Sequence, residues 1–213
     1  MPLILVISAF AALVSMGSAS RASIALGKGD INTAERTLGN STTLLTIIAI
    51  TLTALMLAFA EPLLMAFGAS ENTIGYALDY MRIYALGTLF VQLTLGLNAF
   101  ITAQGFSRES MLTVVIGAVI NIALDPLFIF TFGMGVKGAA LATIISQCVS
   151  MIWILRFLTG KRTTLKLRPQ CMAIHWRILL PVLAFRPFPE RGRFLIFFSA
   201  VLCYTIVYFA VYF

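Results

Sequence analysis

The chain has 213 residues, of which 60% are hydrophobic and 11% charged, with a net charge of +7 and a mean hydropathy of +0.98. That mixture excludes an ordinary soluble domain, and no basic patch interleaved with aromatics supports a nucleic-acid partner. Uninterrupted apolar runs of about 18 residues or more read as membrane-spanning helices, so the expected class is all-α, a polytopic helical membrane protein.

The first apolar span is expected over Leu3 to Met16. The small residues of "VSMGSAS" resemble a signal-peptide cleavage site, but no positively charged region precedes the apolar run, which argues against one. In the next stretch, "RASIALGKGDINTAERTLGN", Ile24, Leu26, Ile31, Ala34 and Leu38 alternate with charges, a pattern that predicts a short helix lying on the cytoplasmic surface. Gly27 and Gly29 are its turn residues. "NST" at Asn40 has the form of a glycosylation sequon, but it faces the cytoplasm in the topology below and is read as chance. A second span follows over Thr43 to Ala60.

The third span, Tyr76 to Thr102, carries Tyr84, Thr88, Gln92, Asn98 and Thr102 within an arc of about 120° on a helix that turns about 100° per residue. The fourth, Met111 to Phe132, contains "NIALDPLFIF", with Asn121 and Asp125 four residues apart on one face. Pro126 has no amide proton, so the carbonyl of Ile122 loses its helical donor; these two positions form the expected hinge. A carboxylate, an amide oxygen and a freed carbonyl make a hard-oxygen cluster suited to a proton or a sodium ion. A Pro-kinked helix with a structural Asp is the plainer alternative, but ionisable residues at membrane depth are functional by default. Counting from Met111, Asp125 lies about 21 Å along the span, in the outer half of the membrane.

"GMGVKG" gives Gly133, Gly135 and Gly138 the G-x-G-x-x-G spacing, yet it joins two membrane helices and lacks the preceding strand of a dinucleotide site; a tight external turn is expected. The fifth span, Ala139 to Leu158, places Thr143, Ser146, Gln147 and Ser150 on one face. Polar stripes of this kind either glue helices together or line a cavity. Their coincidence with Asp125 points to a shared cavity lined by Thr88, Gln92, Asn98, Ser146 and Gln147. Ile178 to Phe185 is too short to span, and a sixth span is expected over Phe194 to Phe213.

Assigning loops to alternate sides puts thirteen of the fifteen Lys and Arg residues on one side, leaving Arg82 and Lys137 on the other, so the first side is cytoplasmic. Cys148, Cys171 and Cys203 have no CxxC spacing and are read as packing residues. The lone His175 has no partner histidine for a transition-metal site. Walker A, HExxH and GxSxG patterns are absent, so no enzyme is indicated.

Over residues 10 to 170 the chain resembles the multidrug and toxic compound extrusion (MATE) family of cation-coupled antiporters. The resemblance rests, in order, on "GSASRASIALGKGDINTAERTLGN", "EPLLMAFGAS", "YALDYMRIYALG", "NIALDPLFIF" and "GMGVKGAALATIISQ". It implies two six-helix lobes around a central cavity, of which this chain carries helices two to six of the first lobe. It implies a cation site at Asn121, Asp125 and Thr143, with a further Asp on a first helix that has no counterpart here. The resemblance therefore divides the chain into a partial N-terminal lobe, residues 1–170, and a divergent tail, residues 171–213, in a truncated or frame-shifted copy.

The function so implied is export of organic, often cationic, compounds across the inner membrane of a prokaryote. It is coupled to H+ or Na+ and needs no cofactor, and the missing first helix and second lobe are supplied by a full-length parent or a partner. The alternatives are a non-transporting membrane fragment or assembly partner, and a lipid-linked oligosaccharide flippase of the same superfamily.

Overall fold

The computed structural model describes residues 2–66 and 73–172, and every element among them is helical. Five long helices, α1 (Pro2–Gly27), α2 (Ile31–Ala58), α4 (Ile74–Ala103), α5 (Ser107–Pro126) and α6 (Val136–Thr159), correspond in order to the first five expected spans; a short α3 (Ala60–Ala66) follows α2. Each long helix is apolar and long enough to cross a bilayer. The expected sixth span, His175, Cys203 and most of the tail, residues 171–213, lie outside the described residues.

The helices outrun the apolar runs because their polar ends find local partners. Toward the end of α1, "VSMGSAS" stays helical with its hydroxyls satisfied inside the helix: Ser18 Oγ donates to the Val14 carbonyl at 2.5 Å and Ser20 Oγ to the Met16 carbonyl at 2.8 Å. The surface helix expected over residues 21–40 does not form. Residues to Gly27 finish α1 and residues from Ile31 start α2, joined by a three-residue turn. Gly29 takes φ +76°, and the Asp30 carboxylate caps α2 by accepting from Thr33 N at 3.0 Å. The same Thr33 contacts hold the Asp30 carboxyl below its usual range. The amphipathic pattern serves the bundle: Ala34 and Leu38 are fully buried against α1 and α4.

At the centre lies α4, packed against α1, α2 and α6, while α5 leans on α6 from outside. Glycines set the closest approaches. A side chain at Gly96 would strike Leu45 of α2, and one at Gly87 would strike Ile144 of α6. On α5 only Thr113 and Gly117 are buried, with Ser150 of α6 donating to the Thr113 carbonyl at 3.3 Å. Outward-facing Ile50, Leu86, Val114, Val119 and Phe130 are exposed, as lipid-facing side chains are. Two apolar clusters fill the bundle, one around Leu38, Leu97, Phe100 and Leu158, the other around Ile7, Met56, Met81 and Tyr84.

Between α5 and α6 the expected tight turn is present, with Gly133 at φ +63° and Gly135 at φ +55°, backbone that L side chains rarely adopt. After α6 the chain folds back over the bundle end. Gln104 Oε1 accepts from Thr163 Oγ1 (2.7 Å), Thr164 N (3.0 Å) and Leu165 N (2.9 Å). The buried Glu35 accepts from Lys166 N at 3.2 Å and pairs with Arg168 at 3.3 Å.

Gln104→Ala removes one acceptor from three donors at once. Leaving a buried donor unmet costs about 1–3 kcal/mol, so amide exchange at Thr164 and Leu165 is expected to accelerate about tenfold or more while α4 is unaffected. Unchanged exchange would show that the loop is held by other contacts.

Candidate cation site

Helical spacing brings Asn121 and Asp125 together on α5, where Asn121 Nδ2 lies 3.5 Å from Asp125 Oδ1, a long contact. Both side chains are half-buried, and that of Ile122 points outward, 71% exposed. Pro126 keeps helical angles, φ −63° and ψ −34°, but cannot donate to the Ile122 carbonyl. The chain responds by widening: Leu127–Thr131 is one π-helical turn in which Phe132 N donates to Leu127 O at 3.0 Å. The break in hydrogen bonding therefore falls directly after Asp125.

Depth along the helices shows which other residues can share the site. At 1.5 Å per residue, Tyr80 lies about 9 Å into α4 and Thr143 about 10 Å into α6. Both helices start at the end where α5 finishes, so all three positions share one level. Thr143 Oγ1 donates to the Ala139 carbonyl at 2.9 Å, and its hydroxyl lies beside that of Tyr80. Tyr80 also lies within electrostatic range of Asp125 on α5. Its ring stacks on that of Tyr84 with centroids 5.8 Å apart.

The sequence pattern offered Tyr84 as the start of the α4 stripe and passed over Tyr80, one turn earlier. Extending the i, i+4 spacing backwards would have found it.

The other carboxylate near this level is occupied. Asp79 pairs with Lys137 at 3.1 Å, tying α4 to the start of α6, whereas Asp125 has no basic partner among the described residues. The donor set of one carboxylate, one amide and two hydroxyls carries a single negative charge and only oxygen ligands. No group of three His, Cys, Asp or Glu side chains occurs among the described residues, so the chemistry fits a monovalent cation or proton better than a multivalent metal.

The polar stripes sit elsewhere. Thr88, Gln92 and Ser146 are buried between helices: Gln92 Nε2 donates to the Ile7 carbonyl of α1 at 3.0 Å, and Ser146 Oγ to the Thr143 carbonyl at 2.8 Å. Asn98 lies about 27 Å along α4 from Tyr80 and reaches Ser110 O of α5 at 3.4 Å. The Gln147 carbonyl accepts from Thr94 of α4 at 3.3 Å. Within these helices the five residues are thus interface groups, though the side-chain oxygens of Gln92, Asn98 and Gln147 have no hydrogen-bond partner among the described residues.

The chain is similar to known membrane transporters. The MatE family model matches residues 1–127. The FAD transporter of Shewanella oneidensis is 31% identical over 154 residues, which cover 70% of this chain and 34% of that protein. Multidrug export protein MepA of Staphylococcus haemolyticus is 30% identical over 165 residues, 78% of this chain and 36% of that one. Among solved structures, the inward-facing conformation of a multidrug resistance MATE family transporter of the MOP superfamily superposes with a TM-score of 0.81 at 29% identity, covering 86% of this chain and 42% of that one. An outward-facing conformation gives 0.79 at 31% identity, covering 85% of this chain and 41% of that one. The chain spans about a third of the length of the curated relatives it matches.

Proposed function

The chain belongs to the MatE family, and on that premise we propose that it forms part of a cation-coupled antiporter that exports organic compounds across the cytoplasmic membrane of a prokaryote. Residues 1–170 are then the portion of the N-terminal lobe that carries the coupling site, and residues 171–213 a separate tail with a further span. Asn121, Asp125 and Thr143 hold the coupling ion, H+ or Na+, with Tyr80 completing the oxygen set. One observation carries this reading: an acid without a basic partner among the described residues, at membrane depth, lies level with the hydroxyls of two other helices.

In this mechanism a bound cation removes the net charge of Asp125, which lowers the cost of closing a low-dielectric cavity around it. The empty carboxylate favours the conformation in which water reaches it. Coupling requires only that the two conformations bind the cation with different affinity. Pro126 and the π-helical turn form the bend, because a turn that has already changed its hydrogen-bond register can shift at small cost.

The near-equal superposition on inward-facing and outward-facing structures supports movement of this segment largely as one unit, bending only after Asp125, with alternation occurring against the opposing lobe. That lobe and the remaining helix of the first come from the same polypeptide or from a partner. The side-chain oxygens of Asn98 and Gln147, buried on half-buried residues and without partners among the described residues, are the groups best placed to meet water or substrate when the opposing wall moves.

The substrates in this reading are small organic compounds, often cationic, and the names of the multidrug export relatives support drug export in general; a lipid-linked oligosaccharide would instead demand a strongly cationic cavity, which these helices do not provide. Reconstitution of the complete transporter in proteoliposomes tests the reading. An imposed pH or sodium gradient is expected to drive an organic cation such as ethidium against its own gradient. Movement that ignores both gradients would reject coupling, and no movement at all would favour a non-transporting assembly role.

A further inference from the structure

Three cations share one recess at the end of α6, and none of them has an acidic partner among the described residues. The recess, about 340 Å³, is lined by Trp153, Arg156, Phe157, Gly160, Lys161 and Arg162. The ion pairs of the described residues, Lys137 with Asp79 and Arg168 with Glu35, leave Arg156, Lys161 and Arg162 unused, and all three side chains are exposed. The carbonyls at the end of α6 contribute about half a negative charge. Three full positive charges outweigh it.

The loop backbone that carries two of these cations is held in place. Gly160 ends α6 in extended backbone, and the loop that follows is fixed by Gln104, by Leu167 N donating to the Leu158 carbonyl at 3.1 Å, and by Glu35. Lys161 and Arg162 are thereby kept over the last turn of α6, beside Arg156. Phe157 is braced edge-to-face by Phe106, with centroids 5.2 Å apart. Cations already positioned lose less freedom on binding an anion than mobile ones do.

An apolar track leads away from the recess into the membrane. Ile152 and Ile145, four and eleven residues before Arg156, are exposed on the same helical face. Trp153 supplies an aromatic wall to the recess, its indole N–H turned inward and buried without a hydrogen-bond partner among the described residues. A free anion would use the cations alone, whereas this arrangement joins a cationic end to a lipid-facing apolar one.

We propose that this recess binds the phosphate headgroup of an anionic phospholipid of the cytoplasmic leaflet, with the phosphate on Arg156, Lys161 and Arg162 and an acyl chain along Ile152 and Ile145. Basic recesses between helices on the cytoplasmic side suit such headgroups. The occupied site cements the loop after α6 to the membrane surface.

The test uses the full chain in lipid nanodiscs, with Trp176→Phe leaving Trp153 as the fluorophore. Quenching is read with phosphatidylglycerol or phosphatidylcholine brominated on the upper acyl chain, at equal mole fraction in unlabelled phosphatidylcholine. Each cation near the surface contributes about fivefold, so phosphatidylglycerol is expected to be preferred about tenfold or more, and less as salt is raised.

Lys161→Gln with Arg162→Gln lies in the exposed loop and is expected to reduce the preference to the roughly fivefold that Arg156 alone contributes, while Arg36→Gln, at the same end but outside the recess, leaves it unchanged. Equal quenching by both lipids, a preference insensitive to salt, or a preference undiminished by the double substitution would each overturn the proposal. Displacement of the brominated phosphatidylglycerol by inorganic phosphate would overturn it too, in favour of a free-anion site.

Discussion

In the complete transporter, Asp125→Asn is expected to lower gradient-driven efflux about a hundredfold while leaving the folded protein intact. The substitution keeps the shape of the side chain and its contact with Asn121, and it orphans no basic partner, because none faces Asp125 among the described residues. It removes the charge that distinguishes a loaded site from an empty one. Coupling free energies between sites are typically about 1–3 kcal/mol, and a hundredfold lies in the upper part of that range. Asp79→Asn is the matched control, since it breaks an exposed pair with Lys137 worth about 0–1 kcal/mol and should change efflux by less than about twofold. Equal losses in the two variants would mean that negative charge at this end of the bundle, not Asp125 itself, supports transport.

Gly138→Ala is expected to destabilise the protein by about 2 kcal/mol and to impair the site from a distance. In most helices a Gly to Ala change gains up to about 1 kcal/mol. Here a Cβ would lie 2.8 Å from the carbonyl carbon and oxygen of Phe128, in the π-helical turn after Pro126. That backbone is tied by Phe132 N to Leu127 O and by Met134 N to Phe128 O at 3.1 Å, so it cannot yield as a side-chain tip would. Overpacking of this kind costs about 1–3 kcal/mol. Relief comes by moving the start of α6 away from the end of α5, which separates Thr143 from Asp125. A lower melting midpoint in detergent and weaker cation coupling should appear together. A variant as stable as the parent would show that the two helices do not approach so closely.

How far these features could be read from the sequence depended on which force set each of them. The number and order of the membrane helices followed from apolar length, because a bilayer admits few other structures. Where they end did not, since Ser18, Ser20 and the Asp30 cap extend the helices with hydrogen bonds that apolar counting ignores. The stretch from Arg21 to Asn40 was misread for a related reason. An amphipathic pattern states that one face is apolar without saying what covers it, and here α1 and α4 cover it in place of the membrane surface.

At the site, the four-residue spacing of Asn121 and Asp125 was legible because it is local. Tyr80 was not, since its role depends on α4 and α6 meeting at one depth. The stripe from Thr88 to Gln147 shows the limit of composition: a polar face can line a cavity or join two helices, and only the position of the neighbouring helix separates the two.

The central claim is that the cation bound at Asp125 is the one exchanged for substrate. Its most direct test is cation release from the purified complete transporter in weakly buffered detergent solution, followed with a pH or sodium electrode as substrate is added. The parent protein is expected to release H+ or Na+ in proportion to substrate bound, and Asp125→Asn to bind substrate without that release. Release of the same size from Asp125→Asn would contradict the account and place the coupling ion elsewhere.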